Sequence, residues 1–259
     1  NSKLVEKRVK RAECLAGLVP KVASSSKNFY MYKFKSGDLF SKTATPSKMR
    51  KFLDWSLENM WSINSNVDIS NLCHDFYIKK TNARVDKFLK DGTDKSLKIN
   101  GEIIPDINKI ISNIDIKWLC SGKSSLIHGD LILDNVIETN TGFTLIDWRQ
   151  DFANNLLVGD LYYDLAKLNH NLIFNHEIVN SGNYFISESE DGIFCDIMCS
   201  KNLIDCREEL HSFILDHNLD LEKVDILTSL IWINMSPLHE HPLDKFLFNF
   251  GKYNLFRSL

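Results

Sequence analysis

Several features that would identify a common class of protein are missing from this sequence of 259 residues. It contains no run of 18 apolar residues, so it predicts no membrane-spanning helix. Its six cysteines form no CxxC pair, which argues against a zinc knuckle or a disulfide framework. The formal net charge of −3 gives no electrostatic reason to bind nucleic acid or a membrane surface. We therefore expect a cytoplasmic protein without a nucleic-acid or membrane partner.

Glycine-rich phosphate loops are missing as well. None of the 11 glycines forms a GxGxxG cluster, and no Val-Ala-Ile-Lys-like strand lies near the start. Residues 121–125 contain the letters GKS, but a P-loop also requires a glycine where this chain has Lys117. We interpret this segment as a loop that leads into the next strand.

The most informative motif present is HGDLILDN at residues 128–135, followed by IDW at residues 146–148. Phosphoryl transfer needs one carboxylate to orient the attacking hydroxyl and oxygen ligands to hold Mg²⁺ on the phosphates. Asp130 suits the first task, and Asn135 and Asp147 suit the second. A surface cluster of acids in a loop is the alternative, but three elements in this order and spacing favour a site.

The sequence around this motif predicts a hairpin. Residues 131–137 are mostly apolar, residues 143–146 are β-prone, and residues 138–142 have turn composition. Such a hairpin would return Asp147 to the side of Asn135. Two metal ligands distant in sequence would then converge.

These motifs resemble those of the aminoglycoside phosphotransferase and choline kinase superfamily, whose fold is similar to that of protein kinases. The resemblance implies that Asp130 is the catalytic aspartate and that Asn135 and Asp147 bind the metal. Residues 159–166, GDLYYDLA, are similar to the family's GDxxxDLA helix start, where Asp160 and Asp164 would brace the catalytic loop.

Two further residues are given supporting roles. His128 is expected to hold the catalytic loop, because the family uses the aspartate as its base. Arg149 resembles an arginine of a subgroup associated with bacterial surface-polysaccharide loci. It could contact a phosphate or an anionic substrate, or equally pair with Asp151 or Asp160.

The N-terminal part resembles the end of a kinase N-lobe. Residues 28–37 predict an aromatic-rich strand ending in a glycine turn, and Tyr32, Lys33 and Phe34 correspond to the hinge that pairs with adenine. Residues 3–18 predict an amphipathic helix, and by position its Glu6 or Glu13 would pair with the ATP-binding lysine.

The predicted fold class is α+β: a kinase-like protein with a reduced or truncated N-lobe and a mainly helical C-lobe that carries the catalytic hairpin. We place the partial N-lobe at residues 1–40 and the C-lobe at residues 41–259, where Pro46 opens the first helix. Residues 72–89 and 221–235 have helical periodicity, and Cys195 and Cys199 are expected on one helix face. The missing glycine loop and lysine suggest a fused or missing N-terminal domain.

The resemblance implies an enzyme that uses ATP and Mg²⁺ and takes a small-molecule hydroxyl acceptor. A sugar or amino sugar of surface-glycan metabolism is the first choice. Choline, ethanolamine or an aminoglycoside is the next, and an acidic loop at Glu188, Glu190 and Asp191 could receive such cations. The competing hypothesis is a non-catalytic pseudokinase or regulatory module of a larger fused protein.

Overall fold

Helices make up most of the chain, with short strands between them. The computed structural model describes residues 2–62, 67–90 and 92–259. The α-helices of these residues are α1 Ser2–Cys14, α2 Phe40–Thr43, α3 Pro46–Asn59, α4 Ser70–Cys73, α5 Lys80–Leu89, α6 Ile107–Ser112, α7 Ile116–Leu119, α8 Leu161–Ile173, α9 His176–Asn180, α10 Lys201–Asp216, α11 Leu221–Met235 and α12 Leu243–Arg257. A π-helical segment, His74–Lys79, joins α4 to α5, and 3-10 turns span Leu133–Asn135 and Ser236–Leu238.

The strands form four small sheets. They are β1 Val22–Ser25, β2 Tyr30–Tyr32, β3 Asp38–Leu39, β4 Lys98–Ile99, β5 Glu102–Ile103, β6 Ser124–Ser125, β7 Val136–Thr139, β8 Gly142–Leu145, β9 Gly159–Asp160, β10 Tyr184–Ser189 and β11 Gly192–Ile197. The sheet orders are β1-β2, β3-β7-β8, β6-β9 and β10-β11-β4-β5. Only the β11–β4 pairing is parallel among the described strands.

The main core lies among the long helices. Helix α11 packs against α8 and α12, and α10 packs against α3 and α8. Within α3, the stripe of Met49, Phe52 and Leu53 is fully buried, and Thr45 caps the helix by accepting a hydrogen bond from the Lys48 amide. Burial of such apolar faces supplies most of the stability of helices this short.

Several sequence predictions are confirmed. Pro46 is the first residue of α3, α11 spans the predicted residues 221–235, and the helical segment from α4 to α5 spans residues 70–89. The hairpin also forms, since Val136 pairs with Leu145 in the β7–β8 ladder.

Other predictions were wrong in extent or type. The helix predicted over residues 3–18 ends at Cys14, and the strand predicted over residues 28–37 is limited to β2. Cys195 lies in β11 rather than on a helix, because alternate residues of that strand turn towards the core. Residues 41–259 therefore contain the sheets β10-β11-β4-β5 and β6-β9 besides the catalytic hairpin.

The N-terminal helix α1 is fixed to the rest of the chain by two buried polar side chains. The guanidinium of Arg11, which is 2% exposed, donates to the carbonyls of Ile127 and Leu156. The fully buried Trp148 donates from Nε1 to the carbonyl of Arg8 at 2.8 Å. Since the Arg11 and Trp148 side chains are buried, each donor is costly to leave without its acceptor.

The tryptophan of the IDW motif thus connects α1 to the segment after β8. Its ring also packs against Tyr30 and Tyr32 of β2, at centroid distances of 5.6 and 6.0 Å. Strand β3, at the proposed lobe boundary, pairs with β7 of the hairpin. None of the described helices is long and apolar enough to cross a lipid bilayer.

We predict that Trp148→Phe lowers the free energy of unfolding more than Trp232→Phe does. Both tryptophans are buried and lose the same part of the indole ring, but Trp232 has no hydrogen-bond partner for its Nε1 among the described residues, so the difference should be about 1 kcal/mol. Urea unfolding followed by far-UV circular dichroism measures both variants. Equal losses would show that the bond to Arg8 contributes nothing to the joint.

Candidate active site

The backbone of the HGD motif is held by one buried carboxylate. Asp164, in the first turn of α8, accepts hydrogen bonds from the amides of His128 at 2.8 Å and Gly129 at 2.7 Å. The indole of Trp61 donates to the same carboxylate at 3.2 Å. Burial raises the pKa of Asp164, and the hydrogen bonds from these donors oppose that rise. The segment that carries Asp130 is therefore held in place by the buried Asp164 carboxylate.

His128 connects the catalytic loop to the end of the hairpin. Its ring Nε2 lies 2.9 Å from the carbonyl of Ile146, and its Nδ1 accepts the amide of Asp130 at 3.3 Å. Both contacts are satisfied by the neutral tautomer protonated at Nε2. Burial lowers the pKa of His128, which favours that neutral form. These contacts agree with the predicted holding role.

Asp130 forms an ion pair with a residue that the sequence analysis did not single out. Lys167, two turns into α8, places its Nζ 2.8 Å from Asp130 Oδ1. Burial alone would raise the pKa of Asp130, but the charge and hydrogen bond of Lys167, together with the charges of His128 and Arg149, outweigh it and hold that pKa below its ordinary value. The Asp130 side chain is 42% exposed, so a ligand can reach the carboxylate.

The hairpin brings the two predicted metal ligands to one edge. The amide of Ile146 donates to the carbonyl of Asn135 at 2.9 Å, and Asp147 is the next residue. Asn135 donates its side-chain nitrogen to the carbonyl of Asp130 at 2.8 Å, which leaves the side-chain oxygen for another partner. Asp147 adopts a φ of +55°, and its carboxylate is 66% exposed. A positive φ at a non-glycine residue is a strain commonly kept at functional sites.

One amide oxygen and one carboxylate match the ligands that Mg²⁺ takes beside nucleotide phosphates. In residues 2–62, 67–90 and 92–259, no cluster of three His, Cys, Asp or Glu side chains forms an alternative metal site. Asn135 and Asp147 therefore suit a metal that arrives with a phosphate ligand rather than one held by protein alone.

Asp160 explains the GKS letters that resemble a P-loop. Its fully buried carboxylate accepts the amide of Lys123 at 2.8 Å and the hydroxyl of Tyr77 at 2.8 Å. A Cβ on Gly122 would lie 2.7 Å from the Asp160 carboxyl carbon, so only glycine fits there. The glycine and the lysine amide of this segment therefore pack against an aspartate and are not arranged around a phosphate.

The chain was then compared with known proteins. The sequence model of the phosphotransferase enzyme family, APH, matches residues 66–178, which include the catalytic loop, the hairpin and α8. Choline kinase from Cryptosporidium parvum Iowa II matches in structure over 100% of this chain and 77% of its own length, with a TM-score of 0.50. The sequence identity is 13%, so this match bears on the fold alone. No curated protein matches the chain.

Over residues 66–178 the chain is similar to the phosphotransferase enzyme family, and its overall fold is similar to that of choline kinase. The kinase-like α+β fold, predicted from the motifs, is confirmed.

The three residues predicted to form the hinge lie at the end of β2 and beyond it. Tyr32 is the last residue of β2 and is half-buried against Trp148. Burial raises its pKa. Lys33 and Phe34 are exposed, with Phe34 at 90%, and have no regular secondary structure. Their exposed backbone is open to a ligand, and the adenine contact itself stays a prediction.

The predicted glutamate of α1 does not face the hairpin. Glu6 pairs with Lys10 at the surface, at 2.7 Å, and Glu13 is exposed. The residue of α1 that reaches the predicted metal ligand Asp147 is Arg8, whose Nη1 lies 3.4 Å from Asp147 Oδ1.

Arg149 forms neither of the ion pairs considered from sequence. It donates from Nε to the backbone carbonyl of Asp151 at 3.1 Å, while the carboxylate of Asp151 pairs with Lys7. Its guanidinium lies 4.7 Å from the ring centroid of Phe76. A Cβ on Gly129 would lie 2.7 Å from the Arg149 side chain, so the glycine of HGD makes room for this arginine.

Asp130, Arg149 and Lys167 line a cavity of about 150 Å³ between the catalytic loop and the helices. The other wall comes from the π-helical segment, α5 and α11, including Phe76, Lys80 and Arg84. Sequence analysis missed Lys167, Lys80 and Arg84. Lys167 lies three residues after Asp164, a spacing that puts both on one helix face. Lys80 and Arg84 are four residues apart and therefore also share a helix face. These spacings were the sequence patterns that could have indicated the three residues.

The acidic loop proposed to receive a cationic acceptor lies elsewhere. Glu188, Glu190 and Asp191 line a separate cavity with Lys98 and Lys245, and none of them lines the Asp130 cavity. Glu188 pairs with Lys245 at 2.6 Å. The loop therefore gives no support to a choline or aminoglycoside acceptor.

We predict that Asp164→Ala lowers the free energy of unfolding by about 3 kcal/mol or more, because three buried N–H donors lose their acceptor. Asp134→Ala, in the same loop but paired only with the exposed His176, should cost less than about 1 kcal/mol. Chemical denaturation measures both. If Asp164→Ala does not fold, Asp164→Asn, which keeps one acceptor oxygen, should show an intermediate loss. A loss at Asp164 no larger than at Asp134 would contradict the bracing role.

Proposed function

We propose that this protein is a kinase that transfers the γ-phosphoryl group of ATP to a hydroxyl of a small molecule. One observation carries the proposal. Asp130 is fixed through buried contacts at the opening of a cavity, on the loop that also presents Asn135 beside Asp147. The order of these three residues and the family match support the same reaction.

In this mechanism the acceptor hydroxyl donates a hydrogen bond to Asp130 and attacks the γ-phosphorus in line. An O–P bond to the acceptor forms, the bond between the γ-phosphorus and the β–γ bridging oxygen breaks, and ADP leaves. The hydroxyl proton passes to the Asp130 carboxylate. Because Lys167 keeps the pKa of Asp130 below its ordinary value, the carboxylate is a weak base that orients the hydroxyl and accepts its proton late.

Asn135 and Asp147 are the proposed metal ligands. Mg²⁺ bound there with ATP would neutralise charge on the phosphates. Arg8 lies close enough to Asp147 to help balance the same charge. The exposed backbone at Tyr32, Lys33 and Phe34 is the proposed adenine contact.

Supporting residues keep this arrangement fixed without touching reacting atoms. Asp164 and His128 hold the backbone on either side of Asp130, and Asp160 holds the segment before β6. For the acceptor, the motif that resembles a surface-polysaccharide subgroup favours a sugar or amino sugar. Arg149, the residue that carries this resemblance, lines the cavity beside Asp130.

We predict that Asp130→Asn retains Mg·ATP binding but loses turnover by about 10² to 10⁴, because the amide cannot accept the hydroxyl proton. Asp147→Asn should lose the metal-dependent part of nucleotide binding. Asp134→Asn, in the same loop and outside the proposed metal-binding edge, should match the wild type in both respects.

Thermal stability with ATP, with Mg·ATP and with Mg²⁺ chelated separates these roles. A nucleotide at 100 times its Kd stabilises the native state by about 2.7 kcal/mol, which is easily measured. Phosphate transfer to a panel of hydroxyl compounds is followed by ADP release. If Asp147→Asn keeps the Mg²⁺-dependent thermal shift of the wild type, the assignment of Asp147 as a metal ligand is wrong. If Asp130→Asn keeps full turnover, the assignment of Asp130 as the catalytic residue is wrong.

A further inference from the structure

The cavity beside Asp130 carries a marked excess of positive charge. Its charged lining residues are four cations and a single acid. The cations are Lys80, Arg84, Arg149 and Lys167, and the acid is Asp130. They come from three separate parts of the chain, so the clustering is a product of the fold.

Among the described residues, one of these four cations has an acidic partner in an ion pair. Lys167 pairs with Asp130 at 2.8 Å. Within the part of the chain that the structure describes, Lys80, Arg84 and Arg149 form no ion pair within 4 Å. Lys80 and Arg149 instead lie over the same ring, that of Phe76, at 4.1 and 4.7 Å from its centroid.

The clustering has a measurable electrostatic consequence. Burial, with repulsion from Arg149, Arg84 and Lys167, lowers the pKa of Lys80 to about 7, against the attraction of Asp130. Holding like charges together in this way disfavours the folded state unless a ligand supplies the opposite charge. Perturbed lysines of this kind cluster at functional sites.

The cavity also lies on the acceptor side of Asp130. Asn135, Asp147 and Arg8 are not among its lining residues, and neither is any of the proposed hinge residues. The nucleotide and its metal are assigned to those residues, which leaves the cavity for the molecule that brings the hydroxyl. Asn234, in the lining, has a buried Oδ1 without a hydrogen-bond partner among the described residues, and this oxygen can accept from a hydroxyl.

We propose that the acceptor is an anionic hydroxyl compound, a sugar or polyol that carries its own phosphate or carboxylate group. Lys80, Arg84 and Arg149 bind that group and so direct a hydroxyl of the same molecule to Asp130. This inference rests on the proposed phosphotransferase reaction and names its substrate class. A phosphate monoester, with a charge near −2, or a carboxylate would offset the charges of these three cations, which form no ion pair within 4 Å among the described residues.

The same charges disfavour the cationic acceptors. Choline, ethanolamine, aminoglycosides and unmodified amino sugars bring positive charge to a cavity that already has an excess of it. Like-charge contact excludes such ligands as effectively as favourable contacts select others.

Phosphate transfer with matched acceptors tests the inference. Glucose, glucose 6-phosphate, glucuronate, glucosamine and choline differ in charge, and each is offered with Mg·ATP. We expect kcat/KM for glucose 6-phosphate or glucuronate to exceed those for glucose, glucosamine and choline by at least about tenfold, as for one charge-assisted contact. Equal use of glucose and its charged forms, or preference for glucosamine or choline, would overturn the inference.

Two variants locate the effect in the cavity. Lys80→Met and Arg84→Gln should each reduce kcat/KM for the anionic acceptor about tenfold or more and leave the KM for ATP unchanged. The control is Lys79→Met, because Lys79 pairs with Asp75 at the surface and does not line the cavity. Losses at Lys79 as large as at Lys80 would contradict the assignment.

Failure of the inference is distinguishable from failure of the proposed function. A Mg·ATP thermal shift that depends on Asp147, together with turnover of neutral or cationic acceptors, would leave the kinase in place and remove the anionic substrate. Absence of the shift and of all transfer would remove the kinase itself, and the inference with it.

The pH dependence supplies an independent readout. With glucuronate, whose carboxylate stays ionised, kcat/KM should fall as pH rises through about 7, because Lys80 loses its proton there. Lys80→Arg should remove this alkaline limb, since the guanidinium stays charged. The charged groups that face Lys80 are Arg84, Arg149, Lys167 and Asp130. The pKa of Asp130 is held below its ordinary value and that of Lys167 above it, so neither of these two groups titrates near 7. An alkaline limb that persists in Lys80→Arg would contradict the role of Lys80.

Discussion

The site depends on the hydrogen bonds that Asp164 accepts from the backbone of the catalytic loop. One buried carboxylate accepts the amides of His128 and Gly129 and the indole of Trp61, so three elements distant in sequence meet at one group. Burying a carboxylate is unfavourable unless its hydrogen bonds are made, and these donors are equally costly to leave without an acceptor. Each partner therefore keeps the other in place. The position of Asp130 follows from that mutual requirement.

The next constraint is the joint between α1 and the hairpin. Arg11 is nearly inaccessible to solvent and donates to two backbone carbonyls outside α1. Trp148 in turn donates a hydrogen bond to the carbonyl of Arg8 in α1. Since Trp148 follows Asp147 directly, the hydrogen bond that holds α1 in place also fixes the backbone next to Asp147, the proposed metal ligand. Arg8 reaches that carboxylate from the docked helix. The N-terminal helix is thus part of the candidate site rather than a separate covering element.

Charge then divides the site into two sides. On one side, Asn135 and Asp147 present oxygen atoms suited to a cation bound with phosphates. On the other, Lys80, Arg84 and Arg149 line a cavity with an excess of positive charge. Asp130 lies between the two sides and is paired with Lys167, which holds its carboxylate in one orientation. In the proposed reaction, a hydroxyl delivered from the cationic side would meet the phosphate on the other, as an in-line transfer needs.

The sequence by itself determined the residues of the catalytic loop, the hairpin and the start of α8, because Asp130, Asn135, Asp147 and Asp164 lie in short motifs whose spacing reflects local geometry. It also predicted the long helices from their apolar period. It did not predict the sheet built from β10 and β11, or the arginine of α1 beside Asp147. Tertiary structure alone decided the positive charge of the cavity beside Asp130. Lys80 and Lys167 are 87 residues apart in sequence, and no local pattern records that packing will place their charges around one carboxylate.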